Sequence, residues 1–118
     1  MSDLIPKDNF TIKQGSKRTW TWKLTDNNGD PFDFSNYSAK MEIRDKPGGT
    51  LYLSLTSTPA AGLTINALAG EIVPLITGAQ AALFNFDKAE YDCFVTNGSG
   101  EPTCLVEGVV TLKKRITQ

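Results

Sequence analysis

Apolar and polar residues alternate with a period of two along most of this chain. In residues 17–25, Trp20, Trp22 and Leu24 fall on one side, while threonines and lysines fall on the other. Because successive side chains of a strand point to opposite faces, this run predicts a strand that buries one face. Residues 26–31, rich in Asn, Asp and Gly, predict the turn that ends it.

The same alternation recurs further along the chain. In residues 37–45, Ala39, Met41 and Ile43 point inward, and in residues 51–55 three leucines share one face while Tyr52 points outward. Shorter apolar runs between turn signals complete a set of seven or eight short strands. Such a series of short, regularly spaced strands is typical of an all-β sandwich.

One stretch departs from the period of two and indicates a helix. Thr77 and Gln80 have the spacing of a capping box, in which each side chain bonds the backbone N–H of the other residue. Good helix formers follow as far as Phe84. We therefore predict one short helix near residues 77–84.

The N-terminal residues read differently from the rest. Residues 1–9 are mostly polar and are broken by Ile5-Pro6. We predict that they form an arm, followed by a single β-sandwich domain at residues 10–118. Because free termini are usually disordered, an ordered arm is expected to be held by another surface, such as a neighbouring subunit.

Residues 88–112 are predicted to form a β-hairpin around a turn rich in Gly and Ser. A turn centred between Gly98 and Ser99 makes Cys93 face Cys104. The inner face then carries Tyr91, Cys93, Val95, Pro102, Cys104 and Val106. The outer face carries Glu90, Asp92, Phe94, Leu105, Glu107 and Val109.

The predicted opposition of Cys93 and Cys104 allows two interpretations. A cross-strand pair brings Cβ atoms close to disulfide range, so the hairpin could be locked by a disulfide. The alternative is two reduced thiols that pack as small apolar groups, which synthesis in a cytoplasm favours.

Carboxylates cluster on the outer face of the predicted hairpin. In the predicted register Glu90 faces Glu107, with Asp92 beside them, and opposed like charges destabilise a sheet. Paired carboxylates also occur in glycosidase sites, but exposed sheet carboxylates are common. The cluster is expected to need cations from the strand that carries Lys40 and Arg44, or from a partner subunit.

Apolar side chains beside these charges form a candidate subunit interface. Its members are Leu4, Ile5, Tyr52, Phe94, Leu105 and Val109. The alternative is that they are surface residues scattered singly, which need no partner.

Composition narrows the chemistry that the chain can perform. Its 118 residues include no histidine and two cysteines, and its formal net charge is −1. The commonest general base and metal ligand is thus missing, and two cysteines cannot build a structural zinc site of the usual kind. We therefore predict a non-enzyme with no catalytic, cofactor-binding or metal-binding residues.

The net charge and the hydropathy also limit which partners, such as nucleic acid or a membrane, the chain is expected to bind. A net charge of −1 gives no case for specific nucleic-acid binding, although the basic run 113–115 could make weak, salt-sensitive contacts or form a salt-bridge patch. No apolar run approaches the roughly 20 residues of a membrane span. The N-terminus lacks the pattern of a secretory signal, so synthesis in a cytoplasm and no membrane partner are expected.

Three further motifs each have two interpretations. Trp20 and Trp22 could form a stacking platform for sugars, or they could belong to the core. Residues 26–30 resemble half of a calcium loop but lack its bidentate Glu, which favours a plain turn. Asn97 begins a glycosylation sequon, yet Asn-Gly is also a preferred hairpin turn.

The order of these segments resembles that of a known family. The segments are Gln14-Gly15-Ser16 before the tryptophan-bearing strand, residues 26–35 leading into 37–44, Gly70-Glu71-Ile72, the 77–84 turn, Glu90-Tyr91-Asp92 and residues 106–110. They are similar to the small immunoglobulin-like β-sandwich modules of tailed bacteriophages, including the N-terminal domain of phage baseplate upper proteins. The resemblance spans residues 11–112.

This resemblance implies an immunoglobulin-like antiparallel β-sandwich that is a structural component of a phage or prophage virion. Its place would be in the tail, baseplate or neck, after synthesis in the cytoplasm of the bacterial host. Its partners would be other virion proteins, bound in multiple copies or as a homo-oligomer. The alternatives are a head decoration protein and a carbohydrate-binding or host-adhesion module.

Overall fold

Strands make up most of the ordered secondary structure. The computed structural model describes residues 7–117, and within them it contains nine strands, one 3₁₀ turn (Ala67–Ala69) and one α-helix, α1 (Gly78–Ala82). The strands are β1 (Phe10–Lys13), β2 (Arg18–Thr19), β3 (Trp22–Lys23), β4 (Ser38–Arg44), β5 (Leu51–Thr56), β6 (Leu63–Asn66), β7 (Glu71–Ile76), β8 (Lys88–Thr96) and β9 (Pro102–Lys113).

The strands form two sheets. The large sheet has the order β1-β9-β8-β4-β5, with β1 and β5 at its edges. In the small sheet β7 is central and pairs with β2, β3 and β6. Every strand pair is antiparallel except β1 with β9, which is parallel. The prediction of an all-β, immunoglobulin-like sandwich is confirmed, with more strands than the predicted seven or eight and with one parallel pair.

The core lies between the sheets and is built from the inward positions of the alternating runs. Ala39, Met41 and Ile43 of β4 are buried, as the alternation predicts, and so are Trp22 and Leu24. Within the described residues every buried side chain is apolar, aromatic or a cysteine. Burial of this apolar surface is therefore the main contribution that holds the sheets together.

The predicted helix is present and shorter than expected. Thr77 Oγ1 accepts a hydrogen bond from the Gln80 backbone N–H at 3.1 Å, and Gln80 Oε1 accepts one from the Thr77 N–H at 2.9 Å. This capping box starts α1, which buries Ala81 and ends at Ala82. A helix this short is stabilised by its cap and its one buried contact, since isolated short helices are marginal.

The register of the β8–β9 hairpin differs from the prediction. Cys93 lies opposite Val106, and Phe94 lies opposite Cys104, so Leu105 is an extra residue in a β-bulge. The bulge turns Leu105 and Val106 both toward the core, where each is 1% exposed. The predicted Cys93–Cys104 opposition and the outward position of Leu105 are therefore wrong.

A second irregularity changes the predicted faces of β5. Ile43 lies opposite Leu53 and Arg44 opposite Leu51, so Tyr52 is the extra residue. Leu51 is consequently 45% exposed, whereas the Tyr52 ring packs on buried Phe86 with centroids 4.7 Å apart. The predictions of an inward Leu51 and an outward Tyr52 are wrong for the same physical reason as in β9.

Candidate functional site

A row of carboxylates crosses the outer face of the large sheet. Glu42 of β4 lies opposite Asp92 of β8, and Asp92 lies opposite Glu107 of β9. Each of the three residues directly follows a buried one on its strand, so their side chains share the outer face. The predicted Glu90–Glu107 pair is replaced by Asp92–Glu107, because the bulge at Leu105 shifts the register.

The strand that carries Lys40 and Arg44 lies directly beside β8, and Arg44 faces Glu90. Both cations bind Glu42 on their own strand. Arg44 approaches its Oε1 at 3.1 Å, and Lys40 Nζ lies 3.4 Å from its Oε2. The predicted supply of cations from this strand is therefore present, but its direct ion pairs compensate Glu42 rather than Asp92 or Glu107.

Asp92 is the more buried of the two carboxylates in the row that form no ion pair with a described residue. Its side chain is half-buried, and no described residue hydrogen-bonds or ion-pairs with its carboxylate. Burial, followed by the charges of Glu42 and Glu107, raises the pKa of Asp92 above its ordinary value, and Arg44 opposes the rise. The site thus holds a carboxylate that a cationic group would stabilise in its charged form.

A groove of about 440 Å³ runs over this row. Its lining comprises Lys7, Glu42, Arg44, Lys46, Pro47, Gly48, Glu90, Tyr91, Asp92, Glu107, Gly108 and Val109. Four carboxylates and three cationic side chains therefore line one concave surface, which suits a polar or charged binding partner better than an apolar ligand.

The structure does not bring the predicted interface residues together. Phe94, which is 39% exposed, and half-buried Val109 lie on the outer face, where the Asp92–Glu107 pair separates them. Tyr52 and Leu105 are turned into the sandwich. Leu4 and Ile5 lie outside the described residues.

The segment before β1 contains a residue that the sequence patterns did not single out. Asp8 accepts a hydrogen bond from the Trp22 indole N–H at 2.8 Å through Oδ2, and its carbonyl oxygen accepts one from the Tyr91 hydroxyl. Its own N–H donates to the Glu107 carbonyl at 3.0 Å. Gly108 permits this approach, because a Cβ there would collide with the Asp8 carbonyl oxygen.

The predicted arm is thus bound to the sandwich at its described end. Asn9 Oδ1 accepts from the Val109 backbone N–H at 2.9 Å, beside the contacts of Asp8. Residues 1–6 of the arm lie outside the described residues. A lone acidic residue before a strand gives no sequence signal for such a role, because its three partners are distant in the chain.

Both tryptophans pack against side chains of the core. Trp22 is buried and stacks on Tyr91 at an interplanar angle of 5°. Trp20 is half-buried, with its ring 4.6 Å from Phe10 and 5.6 Å from Trp22 between centroids, and the Arg18 guanidinium lies 5.1 Å from it. Their rings contact other side chains, so the interpretation of the pair as part of the core fits the structure better than a sugar platform.

The two cysteines are free thiols on different faces of the hairpin. Cys93 is buried, and burial raises its pKa to about 12. Cys104 is half-buried on the outer face opposite Phe94, and burial again raises its pKa. Neither thiol is activated, since a reactive cysteine needs a lowered pKa.

The remaining candidate motifs are turns or surface charges. Asp26 Oδ1 accepts hydrogen bonds from the backbone N–H groups of Asn28 and Asp30 at 2.8 and 3.1 Å. This carboxylate therefore stabilises a local turn. Asn97 does the same for Ser99 and Glu101. Within residues 7–117 no group of three or more His, Cys, Asp or Glu side chains is arranged to hold a metal ion, and no helix is long and apolar enough to cross a membrane.

Comparisons with known proteins give limited likenesses. No protein-family model matches the sequence, and no curated protein matches it either. Among solved structures, a bacterial ice-binding adhesin retained at the host cell surface aligns over 89% of this chain and 28% of its own, with 16% identity and a TM-score of 0.42. Extracellular domains 3–5 of Drosophila OTK align over 95% of this chain and 33% of their own, with 15% identity and a TM-score of 0.41.

The chain thus spans about a third or less of either solved structure. At these TM-scores neither likeness bears on function, which has to be argued from the residues themselves.

Proposed function

We propose that this chain is a non-enzymatic binding module that contacts another protein subunit through the outer face of its large sheet. The observation that carries the proposal is the environment of Asp92. Its carboxylate is half-buried between two others and has no partner among the described residues. A cationic side chain from a second protein would supply the counter-charge, as in interfaces with complementary potentials.

The surroundings of Asp92 support a protein partner rather than a small ligand. The groove over it is open and is rimmed by charged side chains of both signs. Phe94 stands exposed next to it on β8, and aromatic side chains are enriched at protein interfaces. An aromatic residue beside an uncompensated charge gives a partner both an apolar and an electrostatic contact.

The resemblance to small phage modules supports a narrower form of this proposal. In that form the chain is a structural component of a phage or prophage virion, in the tail, baseplate or neck, where several copies bind other virion proteins. A head decoration protein would use the same kind of surface. The carbohydrate-binding alternative has less support, because the rings of Trp20 and Trp22 pack against other side chains.

The side chains of the groove support a non-enzymatic role. The ionisable ones are carboxylates, lysines, one arginine and Tyr91, whose hydroxyl already donates to Asp8. A nucleophile paired with a base is the arrangement that covalent catalysis requires, and these side chains do not supply it.

The test is cross-linking mass spectrometry on particles released by the bacterium that carries the gene. Lys46 lines the groove, and Lys40 forms an ion pair with Glu42 beside it, so both should cross-link to another virion protein. Lys23 on the small sheet is the internal control. Absence of the chain from purified particles would contradict the virion setting. Cross-links to other proteins only from Lys23 would contradict the choice of surface.

A matched pair of variants tests the same surface by function. Phe94→Ser combined with Glu107→Lys should reduce incorporation into particles at least tenfold, because it removes the aromatic contact and reverses a charge of the row. Leu75→Ser, at an exposed position of the small sheet, should leave incorporation unchanged. Equal incorporation of both variants would overturn the proposal.

A further inference from the structure

A second concave surface, separate from the groove over Asp92, lies at the open edge of the sandwich. It is a cleft of about 250 Å³ between β1 of the large sheet and β2 of the small sheet, and it shares no lining residue with the groove. Its lining comprises Thr11, Ile12, Lys13, Ser16, Lys17, Arg18 and Lys113. Four of these seven side chains are cationic and none is acidic.

Two of the cations are held in an unfavourable position. Lys13 lies directly opposite Lys113 in the parallel β1–β9 pair. Like charges on neighbouring positions of adjacent strands destabilise a sheet, and no described carboxylate forms an ion pair with either lysine. A bound anion would turn this repulsion into attraction.

The third cation, Arg18, is fixed and incompletely satisfied. Its guanidinium carbon lies 5.0 Å from the Phe10 ring centroid and 5.1 Å from that of Trp20, a stacked arrangement that restricts its motion. Its Nε is buried and has no hydrogen-bond partner among the described residues. An unpaired buried donor is unfavourable, so an acceptor in the cleft would be stabilising.

The backbone of β1 adds neutral donors on the same side. The N–H groups of Asp8 and Gln14 donate to carbonyls of β9 at 3.0 and 2.9 Å. Because donors alternate along a strand, the N–H groups of Thr11 and Lys13 point away from β9, toward the open edge. Cationic side chains together with backbone N–H groups are the donor set that oxyanions bind.

We propose that this cleft binds a phosphate or sulfate group. Four cations match a doubly charged tetrahedral oxyanion better than a single carboxylate, and the volume suits one or two such groups rather than a nucleotide. Phe10 is buried and Arg18 lies over the Trp20 ring, which favours an oxyanion over a base that needs an exposed aromatic face. The group can be a free ion or an ester on an anionic polymer, since both present the same oxygens.

The test is a titration of the full chain with sodium phosphate or sulfate at constant ionic strength, followed by amide NMR shifts. We expect saturable shifts at Thr11, Lys13, Ser16, Lys17 and Arg18, with half-saturation in the millimolar range, and no such shifts with chloride. Shifts that are unsaturable, or equal with chloride, would overturn the proposal.

Variants that remove the same number of charges distinguish specific anion binding in the cleft from non-specific electrostatic attraction. Lys13→Gln combined with Lys17→Gln should weaken anion binding at least tenfold. Lys23→Gln combined with Lys46→Gln removes the same charge elsewhere and should leave it within twofold. Equal weakening by both pairs would show non-specific attraction and end the proposal.

The Lys13→Gln, Lys17→Gln variant would also lose anion binding if it failed to fold, so the single variant Lys113→Gln provides a second test. Without anions its melting temperature should exceed that of the wild-type chain, because the repulsion with Lys13 is removed. Phosphate should raise the melting temperature of the wild-type chain but have much less effect on this variant. A wild-type melting temperature that does not respond to phosphate would contradict the inference.

Competition distinguishes the sources of the oxyanion. A sulfated oligosaccharide that binds tenfold more tightly than free sulfate would identify a polymer ester, and equal affinity per group would identify the free ion. A single-stranded DNA of the same charge that binds more tightly than the oligosaccharide, with shifts that spread beyond the cleft, would replace the proposal with nucleic-acid binding.

Discussion

The indole N–H of Trp22 donates a hydrogen bond to Asp8 Oδ2 at 2.8 Å. Trp22 belongs to the small sheet, whereas Asp8 precedes the edge strand of the large sheet. The carbonyl of the same aspartate accepts from Tyr91 in the large sheet. One residue outside the strands therefore connects both sheets at this end of the sandwich, next to the groove that contains Asp92.

Replacement of Asp8 tests this connection. Asp8→Ala leaves the buried Trp22 N–H without its acceptor, and we expect the free energy of unfolding to fall by about 1–3 kcal/mol. Asp8→Asn keeps a side-chain oxygen and should lose less. Asp30→Ala removes the same charge in an exposed turn and serves as the control in urea denaturation. Equal midpoints for Asp8→Ala and Asp30→Ala would contradict a structural role for the bond.

Tyr91 should make stability fall at high pH. Burial, followed by the nearby Asp8 charge, raises the pKa of Tyr91 in the folded chain. Above about pH 10 the unfolded chain loses this proton and the folded chain keeps it, so unfolding becomes progressively more favourable. The stabilisation is complete below pH 10 and is lost as the pH rises toward the folded-state value.

Tyr91→Phe isolates this contribution. At pH 8 the variant should be less stable by about 0.5–1.5 kcal/mol, because the hydrogen bond to Asp8 is lost. Between pH 10 and 11.5 the difference should shrink, since phenylalanine does not ionise. Denaturation curves of both chains across this pH range measure the difference in stability. A difference that stays constant at all pH values would contradict the prediction.

The contribution of Asp92 to stability should change with pH in the opposite direction to that of a salt-bridged carboxylate. Its pKa is raised by burial and by Glu42 and Glu107, so the folded chain favours the protonated form. The associated stability is present below the ordinary aspartate value, near pH 4, and is lost as the pH rises through the folded-state value. At neutral pH the charge is therefore unfavourable in the isolated chain.

We accordingly expect Asp92→Asn to raise the melting temperature at pH 7 by roughly 1–3 °C, a modest shift because the group is partly solvated. The gain should vanish near pH 3. Asp45→Asn, in the exposed β4–β5 turn, is the control. A lower melting temperature for Asp92→Asn at pH 7 would mean that the carboxylate has a stabilising partner.

The cysteines should stay reduced and react slowly in the folded chain. Cys93 faces Val106 rather than Cys104, and burial raises the pKa of both thiols. A thiol reagent at pH 8 should modify half-buried Cys104 before Cys93, and both only slowly. After unfolding without reductant two thiols should react at once, whereas none would react if a disulfide joined them.

The alternation of apolar and polar residues predicts the fold of this chain well, because each strand buries one face. It fails around two residues, Tyr52 and Leu105, for one reason. Each is the extra residue of a bulge, and a single inserted residue reverses every face beyond it. The alternating pattern of the sequence gives no signal for such an inserted residue.

The candidate sites depend on contacts that the sequence does not bring together. The acidic character of residues 90–107 is visible in the chain, but the row of Glu42, Asp92 and Glu107 depends on the register of three strands. Lys13 and Lys113 are a hundred residues apart and meet only through the parallel β1–β9 pair. The basic run at 113–115 was recognisable, and the cleft that it joins was not.

Leu105 gives the most direct test of the bulge. In an uninterrupted hairpin it would lie on the outer face with Phe94, and truncation of either side chain would change stability little. In the structure Leu105 is 1% exposed and Phe94 is 39% exposed. Leu105→Ala should therefore lower the free energy of unfolding by about 2–5 kcal/mol through the cavity it leaves, and Phe94→Ala by less than about 1 kcal/mol. Chemical denaturation of the two variants measures the difference, and similar small losses in both would mean that β8 and β9 pair without the bulge.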